Sequence, residues 1–266
     1  MHFSFIYILA MCFSIKGEQC DEVSEKSPNV YIDQFSNDVN DLLQELDEKY
    51  SMTESIGNAR KKMQEVRFEK WDNDCKSAGM LINLYTNSDE IMHLPGVTFY
   101  RSLSQAIKSD NPGFIWQKCE QLLNIALNII GHETFDIVFR GERRGESSIP
   151  DDLTEGSSYK ERDFWSTTLD PSVTDHFGGA EYAFIIIKNV QGVNVQHVSV
   201  TDMEKEVLVQ SSREYILKRK ISNKEEQQKV LKRIHLRYPN FKPSKFNPEN
   251  IFILVPVKVD GEHDEL

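Results

Sequence analysis

A chain of 266 residues that is 39% hydrophobic, with 15 Phe, 9 Tyr and 3 Trp, is long and apolar enough to bury a sizeable core, which excludes a disordered polar tail. Its 42 acidic residues outnumber its 31 basic ones, giving a formal charge of -11. That balance repels a phosphate backbone, so nucleic acid is not expected as a partner.

The N-terminal stretch "MHFSFIYILAMCFSIKG" holds an apolar run from Phe3 to Phe13, followed by small and polar residues. It reads as a signal peptide over residues 1–17, although the usual basic start is missing. The alternative, an uncleaved anchor, needs ~20 apolar residues, and no later stretch supplies them. Stable membrane insertion is therefore not expected. The other end, His263-Asp264-Glu265-Leu266, matches the receptor-read retrieval signal of the endoplasmic reticulum. Together the ends predict a luminal protein handled by the HDEL/KDEL receptor, with secretion as the alternative. Cleavage near Gly17 leaves Cys20, Cys75 and Cys119, an odd number in an oxidising compartment. One pair can bridge while one thiol stays free.

Residues 18–32 read as an N-terminal extension, and residues 33–131 as a helical layer. "FSNDVNDLLQEL" places Phe35, Val39, Leu42, Leu43 and Leu46 three and four residues apart. A similar rhythm runs through residues 58–84, 99–107 and 115–130, and Gly131 stands where a helix C-terminus favours glycine. After Gly131 the texture changes. "FDIVFRG", "DFWSTTLD", "AEYAFIIIKN", "VNVQHVSV", "EKEVLVQ", "EYILKRKI" and "NIFILVPVKV" are short runs of strand-forming residues separated by turns. Short helices are expected at residues 172–177 and 225–238, and a long loop at residues 141–163, where length suggests function. Helices followed by strands predict an α+β fold with a mainly antiparallel sheet. Residues 33–259 are expected to form one domain, with a β-rich portion at 132–259 and a tail at 260–266.

No phosphate-binding glycine motif, nucleophile elbow or histidine pair at zinc spacing is present, so a metal is not expected. Three short stretches could carry chemistry. In "FRG", Arg140 at a strand end reads first as a surface cation, but Gly141 would let a phosphate approach that planar fork. In "WSTTL", Ser166, Thr167 and Thr168 are ordinary strand residues or short hydrogen bonders lining a pocket. In "EKE", an extended chain puts Glu204 and Glu206 on one side, with backbones roughly 6.6 Å apart at ~3.3 Å per residue. A solvated edge strand explains such a pair in isolation. Two carboxylates at that separation also suit glycosidic bond chemistry.

The order and spacing of these stretches resemble the arginine-specific mono-ADP-ribosyltransferases, whose signature is Arg, Ser-Thr-Ser and Glu-x-Glu. Here the matching residues are Arg140, then Ser166-Thr167-Thr168, then Glu204-Lys205-Glu206, with Phe177 following the hydroxyl triplet. The segment "LINLYTNSDEIMHLPGVTFYRSLSQAI" is similar to the tyrosine-threonine segment of the vertebrate-type ecto-enzymes. The resemblance implies an ADP-ribosyltransferase-like split β-sandwich preceded by a helical layer. It also implies NAD as co-substrate, with a single ADP-ribose transferred to arginine on target proteins and nicotinamide released. By that resemblance Glu206, Glu204, Ser166 and Arg140 are the expected catalytic residues. Arg140, Gly141, Ser166, Thr167, Phe177 and Glu206 are expected to bind NAD, Phe177 against the nicotinamide ring. Glu206 would stabilise the ribosyl cation, and Glu204 would receive the guanidinium. An NAD glycohydrolase and an inactive NAD-binding module are the competing readings. The lumenal address makes chaperones candidate targets.

Thr168 departs from the family's final Ser but keeps a hydroxyl. A charged retrieval tetrapeptide replaces the hydrophobic tail of lipid-anchored relatives. No cysteine follows Cys119, so the family's long-range disulfide cannot be carried over.

Overall fold

The computed structural model describes residue 20 and residues 32–87, 90–91, 94–143, 148–175, 183–200 and 204–257. The leader at residues 1–17, Phe177 and the tetrapeptide at residues 263–266 lie outside the described residues.

The helical layer is built from α1 (Ile32–Tyr50), α2 (Thr53–Lys62), α3 (Asn73–Thr86), α4 (Phe99–Lys108) and α5 (Phe114–Ile130). The apolar stripe of α1 is buried as its spacing predicts: Val39, Leu42, Leu43 and Leu46 are sealed against α3 and α5. The rhythm at residues 58–84 is carried by two helices and not one. The break falls after Lys62, and α3 restarts where Asp72 caps it by accepting from the Cys75 amide at 2.8 Å. Gly131 ends α5 with φ 103°, a left-handed value that glycine adopts without strain. Cys20 is joined to Cys75 at the start of α3, and burial pushes up the pKa of the free, buried Cys119 thiol.

The strands are β1 (Glu90–Ile91), β2 (Leu94–Thr98), β3 (Glu133–Glu142), β4 (Ser158–Glu161), β5 (Trp165–Thr168), β6 (Ala183–Asn194), β7 (Glu206–Val209), β8 (Arg213–Ile221) and β9 (Asn250–Pro256). β1 and β2 form a small hairpin; the other seven run in the order β3-β5-β7-β6-β9-β8-β4, with β3 also pairing with β6. All these pairings are antiparallel except β6 with β9. β3 follows β6 along nearly its whole length but meets β5 only at Phe139 and Thr168. β5 and β7 thereby peel away as a second leaf. One core, with Trp165, Val207, Ile185 and Phe252, lies between the leaves; a second, with Phe164 and Leu208, joins β5 and β7 to the helices. A third packs Phe139, Phe184 and Ile251 near α6 (Lys224–Arg237). This is the split β-sandwich behind a helical layer.

Three local expectations differ. The run 193–200 is not a separate strand: β6 continues to Asn194, and the chain then turns, with the Ser199 amide bonding Val195 O at 2.8 Å. The interval 141–163 is not all loop, because β4 pairs with β8 inside it. Glu204 does not share a strand with Glu206, for reasons seen at the site. Gly192 of β6 allows β7 to approach, since a Cβ there would lie 2.6 Å from Val207 Cγ1.

Candidate active site

β5 and β7 bring the hydroxyl triplet and the Glu-x-Glu together. Their register pairs Ser166 with Leu208, Thr167 with Val207 and Thr168 with Glu206. Alternation then sends Ser166 to one face and Thr167 to the other. Ser166 Oγ donates to Glu206 Oε1 at 2.5 Å, whereas Thr167 Oγ1 donates to Val207 O at 2.7 Å. Thr167 is therefore spent on the strand pair, and the structure does not bring its hydroxyl to the carboxylates. Thr168 Oγ1 donates to Glu204 O at 2.7 Å, tying down the turn ahead of β7.

That turn explains why Glu204 leaves the strand. Lys205 has φ 46°, a left-handed value costly for a side chain with a Cβ. It is held there from several directions. Lys205 O accepts from the Leu169 amide at 3.1 Å, and Lys205 Nζ pairs with Asp170 Oδ2 at 3.3 Å. The simple alternation expected for "EKE" fails at this residue. Glu206 starts the strand, buried at 4% exposure, while Glu204 sits half-buried in the turn before it.

Glu206 is enclosed by hydroxyls. Besides Ser166 on Oε1, Ser199 Oγ donates to Oε2 at 3.2 Å. Burial raises the Glu206 pKa most; Ser166 and Ser199 oppose it, the Glu204 charge adds to it, and Arg140 opposes it, with a net rise to about 7.

Arg140 stands on β3 next to the point where the leaves part. Its Nε donates to Glu142 Oε1 at 2.9 Å and its Nη1 to Ser166 O at 2.8 Å, using two of the five donors of a guanidinium. The guanidinium carbon lies 5.8 Å from the Trp165 ring centroid. Burial opposes its charge, but Glu142, Glu161 and Asp163 raise its pKa further, so it stays protonated. Gly141 follows on β3 opposite Phe184.

These three acids are buried, and each is satisfied. Glu142 accepts from Ser148 Oγ at 2.8 Å and from its amide at 3.1 Å. Glu161 accepts from Tyr159 OH and, at 2.9 Å, from the Asp163 amide. Asp163 accepts from Ser104 Oγ and pairs with Lys108 Nζ at 3.3 Å, joining α4 to the sheet. α3 reaches the chain beside these strands twice: Tyr85 OH donates to Phe164 O, just before β5, at 3.3 Å, and Asn83 Nδ2 to Val198 O, in the turn after β6, at 2.6 Å.

Ser199, Asn83, Tyr85, Glu142, Glu161 and Asp163 were not singled out from the sequence. A signal existed for two of them. Glu142 lies two residues after Arg140 on a strand and so shares its face, and Asn83 is a polar residue within the apolar stretch of α3. Ser199 falls in the stretch 197–203 that the family resemblance assigns to presenting the target, but nothing in the sequence pointed it at Glu206. Among the described residues no group of three or more His, Cys, Asp or Glu side chains is placed to hold a metal ion. No helix among them is long and apolar enough to cross a membrane.

A guanidinium at the divergence of two β-leaves, a hydroxyl on the neighbouring strand and a buried carboxylate bonded to it meet at one place in an ADP-ribosyltransferase fold. Exoenzyme S from Pseudomonas aeruginosa, solved with human 14-3-3 protein beta and carba-NAD, has the same fold: TM-score 0.54 at 15% identity, covering 89% of this chain and 95% of that chain. The eukaryotic mono-ADP-ribosyltransferase ART2.2 gives a TM-score of 0.54 at 16% identity over 88% of this chain and 91% of that one. The type III effector XopAI from Xanthomonas axonopodis pv. citri gives 0.51 at 12% identity, over 88% and 90%. No curated protein sequence matches this chain. The family described as NAD:arginine ADP-ribosyltransferase matches residues 29–239, and the chain belongs to it. It is an NAD-dependent mono-ADP-ribosyltransferase by family, with NAD as its substrate.

Proposed function

We propose that this protein transfers one ADP-ribose from NAD to arginine side chains of target proteins, with Glu206, Glu204, Ser166 and Arg140 as its catalytic residues. The observation that carries the proposal is the buried Glu206 carboxylate bonded to Ser166, with a second carboxylate, Glu204, brought beside it by the left-handed Lys205.

Bonds to the described residues leave Arg140 donors for a phosphate or ribose oxygen of NAD, and Gly141 offers backbone unobstructed by a side chain. Phe177 is assigned to the nicotinamide ring on the strength of the family resemblance alone. The C1′–N bond between ribose and nicotinamide breaks with its electron pair leaving on nicotinamide. Positive charge develops on the ribose, and ionised Glu206 stabilises it electrostatically. A free carboxylate would swing away from the sugar; Ser166 restrains it.

A guanidinium is protonated at neutral pH and a poor nucleophile. Glu204 would accept paired hydrogen bonds from it and take one proton as nitrogen bonds to C1′. Protons and charge then balance: nicotinamide leaves neutral, and the proton given up by the acceptor resides on Glu204. The proposed site of action is the lumen of the endoplasmic reticulum, supported by the leader-like N-terminus and the terminal His263-Asp264-Glu265-Leu266, with lumenal chaperones as targets.

Incubating the purified protein with NAD, with and without agmatine, tests the reading. Arginine transfer predicts ADP-ribosyl-agmatine in step with nicotinamide release. Nicotinamide release without adduct would instead identify a glycohydrolase, and NAD binding without turnover an inactive binding module.

A further inference from the structure

A catalytic carboxylate must be held in one orientation if its charge is to face a developing cation, and one hydrogen bond leaves rotation about the last side-chain bond open. Here each oxygen of Glu206 has its own hydroxyl donor: Ser166 on Oε1 and Ser199 on Oε2. The two serines come from opposite sides. Ser166 belongs to β5, whereas Ser199 lies in the turn between β6 and β7, seven residues before the acid it touches.

Ser199 is not a surface residue that drifts into contact. It is 1% exposed, and its turn is fixed by Val198 and Ser199 amides that both donate to Val195 O, at 3.0 and 2.8 Å. The Asn83 amide, itself buried on α3, donates to Val198 O at 2.6 Å, immediately before Ser199. The helical layer thus anchors the hydroxyl from behind. Replacing Asn83 by an apolar residue would leave Val198 O to find another donor.

We propose that Ser199 is a positioning residue for the transfer reaction, fixing the second oxygen of Glu206 in a two-serine clamp that α3 holds in register. The proposal rests on the assignment of Glu206 as the group that stabilises the ribosyl cation. A hydroxyl donated to a carboxylate favours its ionised form as well as its orientation, so removing it acts on proton affinity and on rate together. Ser199 stands apart from the hydroxyl triplet of the sequence signature, and its effect on the reaction is transmitted through Glu206.

The experiment compares wild type, Ser199→Ala, Ser199→Cys and Glu206→Gln, each checked by thermal melting. Nicotinamide release from NAD with agmatine is followed from pH 5 to pH 9. Loss of a hydrogen bond to a charged group predicts ~10–100-fold lower kcat in Ser199→Ala, with the NAD KM changed less than about threefold. The acid limb of kcat/KM should move to higher pH by about one unit. A purely structural serine would lower the melting temperature without moving that limb. The cysteine variant is nearly isosteric and a weak donor, and carries the same expectation if the alanine variant does not melt cooperatively. If Glu206→Gln is inactive while folded Ser199 variants keep the wild-type limb and kcat, the clamp is overturned and the role of Glu206 stands. If Glu206→Gln retains full activity, that role falls and the clamp falls with it.

Discussion

Replacing Glu206 by Gln should stabilise the protein at pH 8 while removing its activity. The carboxylate has a pKa near 7 in the fold, against 4.5 for an unperturbed glutamate, chiefly because burial disfavours its charge. A shift of that size corresponds to about 3 kcal/mol between the two protonation states. The sign follows from linkage. Between pH 4.5 and 7 the folded state holds a proton that the unfolded state has released, so the folded state loses ground as pH rises and the loss is complete above pH 7. Glutamine keeps the shape and carries no charge, so it avoids this loss. At pH 8 its gain of about 3 kcal/mol translates to a melting temperature higher by roughly 6–12 °C for a domain of this size. At pH 5 wild-type Glu206 is mostly protonated when folded, and the gain shrinks below about 1 kcal/mol. Circular dichroism melts of both proteins at pH 5 and pH 8, with the disulfide oxidised, measure the difference directly. A gap independent of pH, or a less stable Gln variant at pH 8, would refute the claim that ionised Glu206 is a buried, destabilising charge.

Glu204→Gln should lower ADP-ribosyl-agmatine formation by at least ~100-fold while nicotinamide release into water stays within about tenfold, read by chromatography of both products. At Lys205, glycine should be tolerated to within about 1 kcal/mol, whereas Val, strained at a positive φ, should cost ~2 kcal/mol or more in urea unfolding. Reducing Cys20–Cys75 opens a loop spanning 55 residues, for which chain entropy gives about 4 kcal/mol. The melting temperature should fall by roughly 8 °C or more after reduction.

The helical stripe of α1 and the extents of α4 and α5 were legible because an amphipathic period survives any tertiary context that buries one face. Arg140, Ser166 and Glu206 were legible only as a spaced signature, since each alone is ordinary strand chemistry. The bend at Lys205 was hidden because lysine carries no propensity for a left-handed backbone; its conformation is imposed by bonds from Leu169 and Asp170, far back in the chain. Ser199 was hidden for a related reason. Its run alternates like a strand, and only the contact of the turn with Asn83 shows where the hydroxyl goes. The pairing of Cys20 with Cys75 over Cys119 likewise follows from where α5 buries the third thiol, which spacing does not encode.

β5 has β3 at one edge and β7 at the other, and β7 in turn lies between β5 and β6. β7, which carries Glu206, is paired on both sides and leaves no backbone edge for an acceptor to zip onto as an added strand. On the proposed arginine reading, an acceptor would instead be engaged by what projects from its surface: a long, flexible guanidinium inserted toward Glu204. Recognition of that kind reads little of the sequence flanking the modified residue and depends on protrusion and access, so one enzyme could modify many folded clients that share nothing but a reachable arginine.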